Sequence, residues 1–146
     1  MDRAASHAPS TLSVPSTPSS LARVRAFVEQ ICAEHQLERS VKHALVLSAG
    51  EAFSNIIRHA HRHLPQAELQ IQAHFEADGV VLSFFDHGEP FDIASVPHLE
   101  PGELRIGGRG VFMMRRLMDE VRSQRAKNGW GNLLRLFKRT NAVANC

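Results

Sequence analysis

The sequence predicts an α+β fold, a two-layer α/β sandwich with three helices stacked on one face of a mixed, mostly antiparallel sheet of about five strands. Three observations carry this expectation. Apolar residues recur at spacings of three and four in three separate stretches, around Leu21–Ile31, Leu45–Ala60 and Val111–Leu117. Between them lie the shorter runs "AELQIQAHF" and "GVVLSFFDHG", which alternate or stay apolar throughout, as strands do. The C-terminal stretch "VRSQRAKNGWGNLLRLFKR" is divided by Asn128-Gly129, a turn pair that makes a hairpin of it. At 146 residues the chain has the size of one cored domain, and two independent ones would be too many.

Taken in order, residues 1–10 are small and polar and are expected to be a flexible N-terminus, the domain itself spanning 11–140 and a short tail 141–146. "TLSVPSTPSS" offers an edge strand that two prolines stop. Ser19 or Ser20 then caps a first helix carrying Leu21, Val24, Phe27, Val28 and Ile31 to about His35, its apolar side used mainly for core packing. A second helix begins near Ser40, runs Leu45, Ala49, Ala52, Ile56 and Ala60 down one stripe, and ends near Leu64, before Pro65. Two strands follow, with "EADG" turning between them; Leu69, Ile71, Ala73 and Phe75 share a side of the first, and the second is apolar enough to be central. From Glu89 to Gly107 no periodicity is usable, which predicts a long loop. The helical pattern returns at Gly110 through Val111, Met114, Leu117 and Val121, with Met113, Met114 and Met118 expected to fill the core. Trp130, beside two glycines, is expected to pack a turn.

Composition narrows the function. Apolar residues make up 43% and charged residues 22%, as in a folded water-soluble chain, and no apolar run reaches the length of a membrane helix. Seventeen Lys and Arg against fifteen Asp and Glu leave a formal charge of +2, too slight to imply nucleic acid. The basic residues Arg115, Arg116, Arg122, Arg125 and Lys127 read as a solvated face. Two cysteines, Cys32 and Cys146, form no disulfide framework, and no secretory segment precedes them, so a cytoplasmic location is expected. Of the nine histidines, His59 and His63 could share a helix face, but no further ligand falls at a zinc-like spacing.

Three stretches carry chemistry. In "EAFSNIIRHAHR" the polar residues Glu51, Asn55, Arg58 and Arg62 recur every three or four positions, off the apolar stripe, either as a solvated face or as the wall of a site. In "SFFDHGEPFD" an apolar strand ends in Asp86, followed by Gly88. That pattern suits a plain turn, or a carboxylate that accepts a ligand's hydrogen bond beside backbone that admits close approach. In "IGGRGVFMMRRLMDEV" the glycines 107, 108 and 110 end the long loop and open a helix, either for flexibility or to offer backbone N–H groups to phosphate. The Lys-Ser or Lys-Thr of a P-loop and the dinucleotide fingerprint are both absent.

Together, and in this order, the three stretches resemble the histidine-kinase-type ATPase superfamily that includes gyrase and sensor kinases, with its Bergerat fold. More closely, the chain resembles the small anti-sigma-factor serine kinases. "GEAFSNIIRHA" is similar to the family's N box, "FFDHGEPFD" to its first glycine box and "GGRGVFMMRRLMDEV" to its second, the likeness running from about Leu12 to Arg139. The resemblance implies roles residue by residue. Asn55 would hold the magnesium that bridges the ATP phosphates, and Glu51 would be the general base. Asp86 would accept the adenine amino group, with Gly88 permitting close approach. Gly108 and Gly110 would wrap the phosphates, with Arg109 adding charge, and Phe91 to Gly107 would be an ATP lid. Arg58 and His59 would line the nucleotide site on the continuation of the N-box helix, His59 as a structural or ribose-side residue. Pro90 departs from the superfamily, where many members have a second glycine.

What the resemblance implies for activity is an ATP- and Mg2+-dependent protein serine/threonine kinase. It would phosphorylate an anti-anti-sigma partner of STAS type and sequester a sigma factor by partner switching, as a homodimer, with no role for nucleic acid or membrane. The alternatives are a noncatalytic or nucleotide-controlled anti-sigma binding module and a detached sensor-kinase ATPase domain. The residues ahead of Ser40 leave room for a single helix, so a complete sensor kinase with its own dimerising hairpin is not expected.

Overall fold

In the computed structural model the chain is described at residues 9–60, 67–89 and 109–140, the side chains of His59, Ala60 and Arg109 excepted. Among the described residues five strands and three α-helices follow one another as β1 (Ser10–Pro15), α1 (Leu21–Glu34), α2 (Arg39–Asn55), β2 (Glu68–Glu76), β3 (Gly79–Asp86), α3 (Arg109–Leu117), β4 (Glu120–Arg125) and β5 (Asn132–Arg139). The strands form one sheet in the order β1-β2-β3-β5-β4. Where the sequence allows a mixed sheet, all four pairings are antiparallel.

The register explains the layers. Val14 lies opposite Leu69, Ile71 opposite Phe84, Ala73 opposite Leu82, and Phe84 and Leu82 opposite Leu134 and Leu136. These residues share one face, because side chains alternate along a strand. They pack with Val24, Val28 and Ile31 of α1, Leu45, Ala49, Ala52 and Phe53 of α2, and Val111 and Met114 of α3. Burying each of the larger side chains contributes roughly 1.5–3 kcal/mol relative to exposure. β3 is buried on both faces along its whole length, as its continuous apolar run requires of a central strand. On the sheet's other face Arg135 reaches Glu76 and Glu120, each at 3.3 Å, beside the buried Ser83 it pairs with.

Several local expectations change. Ser20 precedes α1 but makes no side-chain cap, because a 3-10 turn, Pro18–Ser20, leads straight into the helix and leaves Ser20 in helical geometry. At the other end of α1, Gln36 takes a left-handed φ of 51°. Its N–H donates to Ala33 O and that of Leu37 to Cys32 O, the pair of bonds that closes a helix in a Schellman motif without the usual glycine. The second helix does not stay α-helical to its end: at Asn55 it passes into a π-helical turn, Ile56–Ala60. α3 stops at Leu117, and Val121, which continues its spacing, belongs to β4. Met114 and Met118 are buried as expected, whereas Met113 is 36% exposed. Gly129, with φ of 92°, turns the last hairpin, as the Asn128-Gly129 pair leads one to expect. Of the two ends expected to be flexible, residues 1–8 and 141–146 lie outside the described residues, as do Arg62 and residues 90–107 of the long loop, whereas Ser10 already belongs to β1 because it pairs with Ala73. No described helix is long and apolar enough to cross a membrane.

Candidate functional site

Along α2, Ser48, Glu51 and Asn55 fall at i, i+3 and i+7, which places them on one stripe of the helix. The stripe adjoins the side that packs on the sheet, and α3 lies across α2 there. Gly110, the second residue of α3, sits against Glu51. A Cβ at position 110 would overlap Glu51 Oε1 and come within 3.4 Å of its Cδ and 3.6 Å of its Cβ. The first backbone N–H groups of a helix have no acceptor within it, and that end of the helix favours negative charge. A half-buried carboxylate therefore stands at the one helix terminus that the sequence reads as an anion seat.

Asn55 ends the α-helical part of α2 and is only 2% exposed. Its Oδ1 accepts a hydrogen bond from Arg58 Nη2 at 3.0 Å, while its Nδ2 is buried with no partner, as is Ser48 Oγ. A buried amide left half satisfied destabilises the fold by about 1–3 kcal/mol, so it points to a use other than packing. The π-helical turn begins one residue later, a rare deformation that frequently accompanies functional sites. Arg58 itself is exposed, so a guanidinium that can move away supplies the positive charge at the Asn55 oxygen. This set fits a magnesium ion. The amide oxygen of Asn55 and the carboxylate of Glu51, one turn apart, are hard oxygen donors of the kind that ion takes. Among the described residues no group of three His, Cys, Asp or Glu is placed to bind a metal by itself.

The second cluster closes the end of β3. Asp86, the last residue of that strand, is 3% exposed. Its Oδ1 accepts from the Gly88 N–H at 2.7 Å, the Asx turn expected of Asp-x-Gly, and from Asn132 Nδ2 at 2.9 Å. Asn132 Nδ2 also donates to Gly88 O at 2.9 Å, and the Gly131 N–H donates to Asp86 O at 3.1 Å. His87 is exposed and stacks on Trp130, with ring centroids 4.6 Å apart and planes at 14°. Trp130 thus packs a turn, as the sequence suggests, but against the strand end that carries Asp86.

Of the residues singled out in the sequence, Glu51 meets Gly110 between α2 and α3, Asn55 one turn further along α2 meets Arg58 of the π-helical turn, and Asp86 and Gly88 form the strand-end turn. Arg109 opens α3 and His59 lies in the π-helical turn, but the side chains of both, and all of Gly108 and Pro90, are outside the described residues. Ser48 and Asn132 were missed. Ser48 reads as one more small residue of a helix, and nothing local couples Asn132 to Asp86, 46 residues away, until the β3–β5 register sets them opposite each other.

A family model described as a histidine kinase-like ATPase domain matches residues 14–138. A protein of Listeria innocua named serine-protein kinase RsbW is 27% identical over 120 residues, covering 77% of this chain and 76% of its own. The serine-protein kinase RsbW of Bacillus subtilis is 25% identical over 121 residues, with the same shares. A solved structure from Mycobacterium tuberculosis, described as the RsbU and RsbW domains of one protein, superposes with a TM-score of 0.65 at 19% identity. It covers 91% of this chain, which in turn spans 32% of that longer one, and the likeness is one of fold.

Proposed function

The chain belongs to the histidine kinase-like ATPase domain family, and from that premise we propose that it is an ATP-dependent protein serine kinase of the anti-sigma type. The observation that carries the proposal is the pairing of Glu51 with the N-terminus of α3, one turn from a buried Asn55 with an unused amide. Relatives named serine-protein kinase, matched over three quarters of their length, support the same reading.

In this reading Asp86 accepts the adenine amino group and the turn at Gly88 lets the base come close. The phosphates lie at the N-terminal end of α3, held by backbone at Gly108 and Gly110 and by Arg109, with Arg58 and His59 lining the same pocket. Asn55 holds Mg2+, which when bound supplies charge neutralisation to the phosphates. Glu51 receives the proton of the serine hydroxyl as its oxygen bonds to the γ-phosphorus and the bond to the β-phosphate oxygen breaks, leaving ADP and phosphoserine. Positioning and electrostatics do most of the work in such a transfer, which suits a site whose charged groups sit on two packed helices. The acceptor is a serine of a small anti-anti-sigma protein of STAS type, and a homodimer of this domain in the cytoplasm binds a sigma factor once that partner is phosphorylated. The domain extends over 11–140.

The test is incubation of the purified protein with Mg2+, γ-labelled ATP and the product of any small STAS-type gene adjacent to its own, with Glu51→Gln run in parallel. Label on a partner serine, lost in Glu51→Gln while ATP still binds, is the expected result. ATP binding without transfer to any such partner would overturn the kinase assignment in favour of a noncatalytic, nucleotide-controlled binder.

A further inference from the structure

The β4–β5 hairpin grips the end of β3 through three kinds of contact. Through backbone, the Gly131 N–H holds Asp86 O at 3.1 Å, so close that a Cβ at 131 would stand in van der Waals contact with that oxygen and with His87 Cα. Through rings, Trp130 stacks on His87 and tilts against Phe85 with centroids 6.2 Å apart. Through one side chain, Asn132 spans the turn, its Nδ2 donating to Asp86 Oδ1 and Gly88 O, each at 2.9 Å. Both of these partners are acceptors, so the amide nitrogen, not its oxygen, must face them. Asn132 thereby joins the carboxylate to the backbone two residues on, and the Gly88 N–H at 2.7 Å adds a second donor to the same Oδ1.

Resting on the reading of Asp86 as the adenine acceptor, we infer that Asn132 is a specificity-determining positioning residue for nucleotide binding. A carboxylate held at Oδ1 by two donors cannot turn about its Cβ–Cγ bond. A purine with a 6-amino donor meets an acceptor of set direction, whereas a 6-oxo purine brings lone pairs against lone pairs. A carboxylate free to turn would accept the amino group less well and reject its absence less sharply. Asn132 touches Asp86 rather than the base, so its contribution lies in discrimination between bases.

Calorimetric titration with Mg2+ and either ATP or purine riboside triphosphate, which lacks the 6-amino group, separates this role from a merely structural one. The intact protein is expected to bind ATP roughly 10- to 100-fold more tightly, the range for a hydrogen bond to a charged group. In Asn132→Leu that ratio should fall to within about threefold, through weaker ATP binding and not through tighter binding of the analogue. Asn132→Ser, which keeps one donor, should give an intermediate ratio and decides the matter if the Leu variant does not fold. Equal weakening of both nucleotides with the ratio intact would overturn the inference while leaving Asp86 as the adenine acceptor. An intact protein that binds ATP and the analogue equally would remove Asp86 from base recognition and the inference with it, and one that binds neither would remove the nucleotide site altogether.

Discussion

Glu51 Oε1 occupies the space that a side chain on Gly110 would need. The group in the way is the far end of a flexible side chain, so Gly110→Ala can be accommodated if Glu51 swings aside. Alanine is favoured over glycine within a helix by about 0.5–1 kcal/mol, which offsets the crowding. Thermal unfolding should therefore move little, while phosphoryl transfer falls by at least about 100-fold because the proton acceptor is displaced. Transfer at the parental rate in a folded Gly110→Ala protein would show that the contact has no catalytic meaning.

Asn55 presents the converse case. Asn55→Ala removes one hydrogen bond to an exposed arginine together with a buried amide nitrogen that has no partner, two effects of similar size and opposite sign. Urea unfolding should shift by no more than about 1 kcal/mol, small for a residue this buried. Nucleotide affinity measured with Mg2+ and again with a chelator should differ strongly in the parent and hardly at all in the variant. A variant that keeps the Mg2+ dependence would place the ion elsewhere.

Gln36 closes α1 in the left-handed region at φ 51°, where residues with a Cβ are strained by about 1–2 kcal/mol. Gln36→Gly relieves the strain but adds freedom to the unfolded chain, so a net gain of about 0.5–1 kcal/mol is expected. An unchanged or lowered denaturation midpoint would mean that the Gln36 side chain contributes more than its backbone costs.

Burial pushes the Cys32 thiol up from its ordinary 9.0 to about 11; nearby Lys42 opposes the shift and Glu29 adds to it. Below pH 9 the thiol is protonated in both folded and unfolded chains, and its contribution is fully present. Between pH 9 and 11 the unfolded chain ionises while the folded one holds its proton, so stability falls across that window by up to about 2–3 kcal/mol. Urea midpoints of the parent and of Cys32→Ala should converge as pH rises through it. Parallel pH profiles would show that Cys32 ionises alike in both states.

By itself the sequence determined the local chemistry. Apolar spacing marked α1, α2 and α3, continuous hydrophobicity marked β3 as the central strand, and Asn128-Gly129 marked the last turn, because these signals lie within one or two turns of chain. The ordered glycine and Glu-Asn motifs also pointed to the matched family, since each is contiguous. Tertiary structure alone decided which of these groups meet. The solvated face considered for α2 turned out to bury Asn55 and to receive α3 at Glu51, and the helix widens into a π turn after Asn55; neither the packing of α3 nor the π turn has a periodic signature. Asn132 reaches Asp86 only because β5 inserts beside β3, ahead of β4 in the sheet. Strand order is settled by which apolar faces must share one core, and no short stretch of sequence records that.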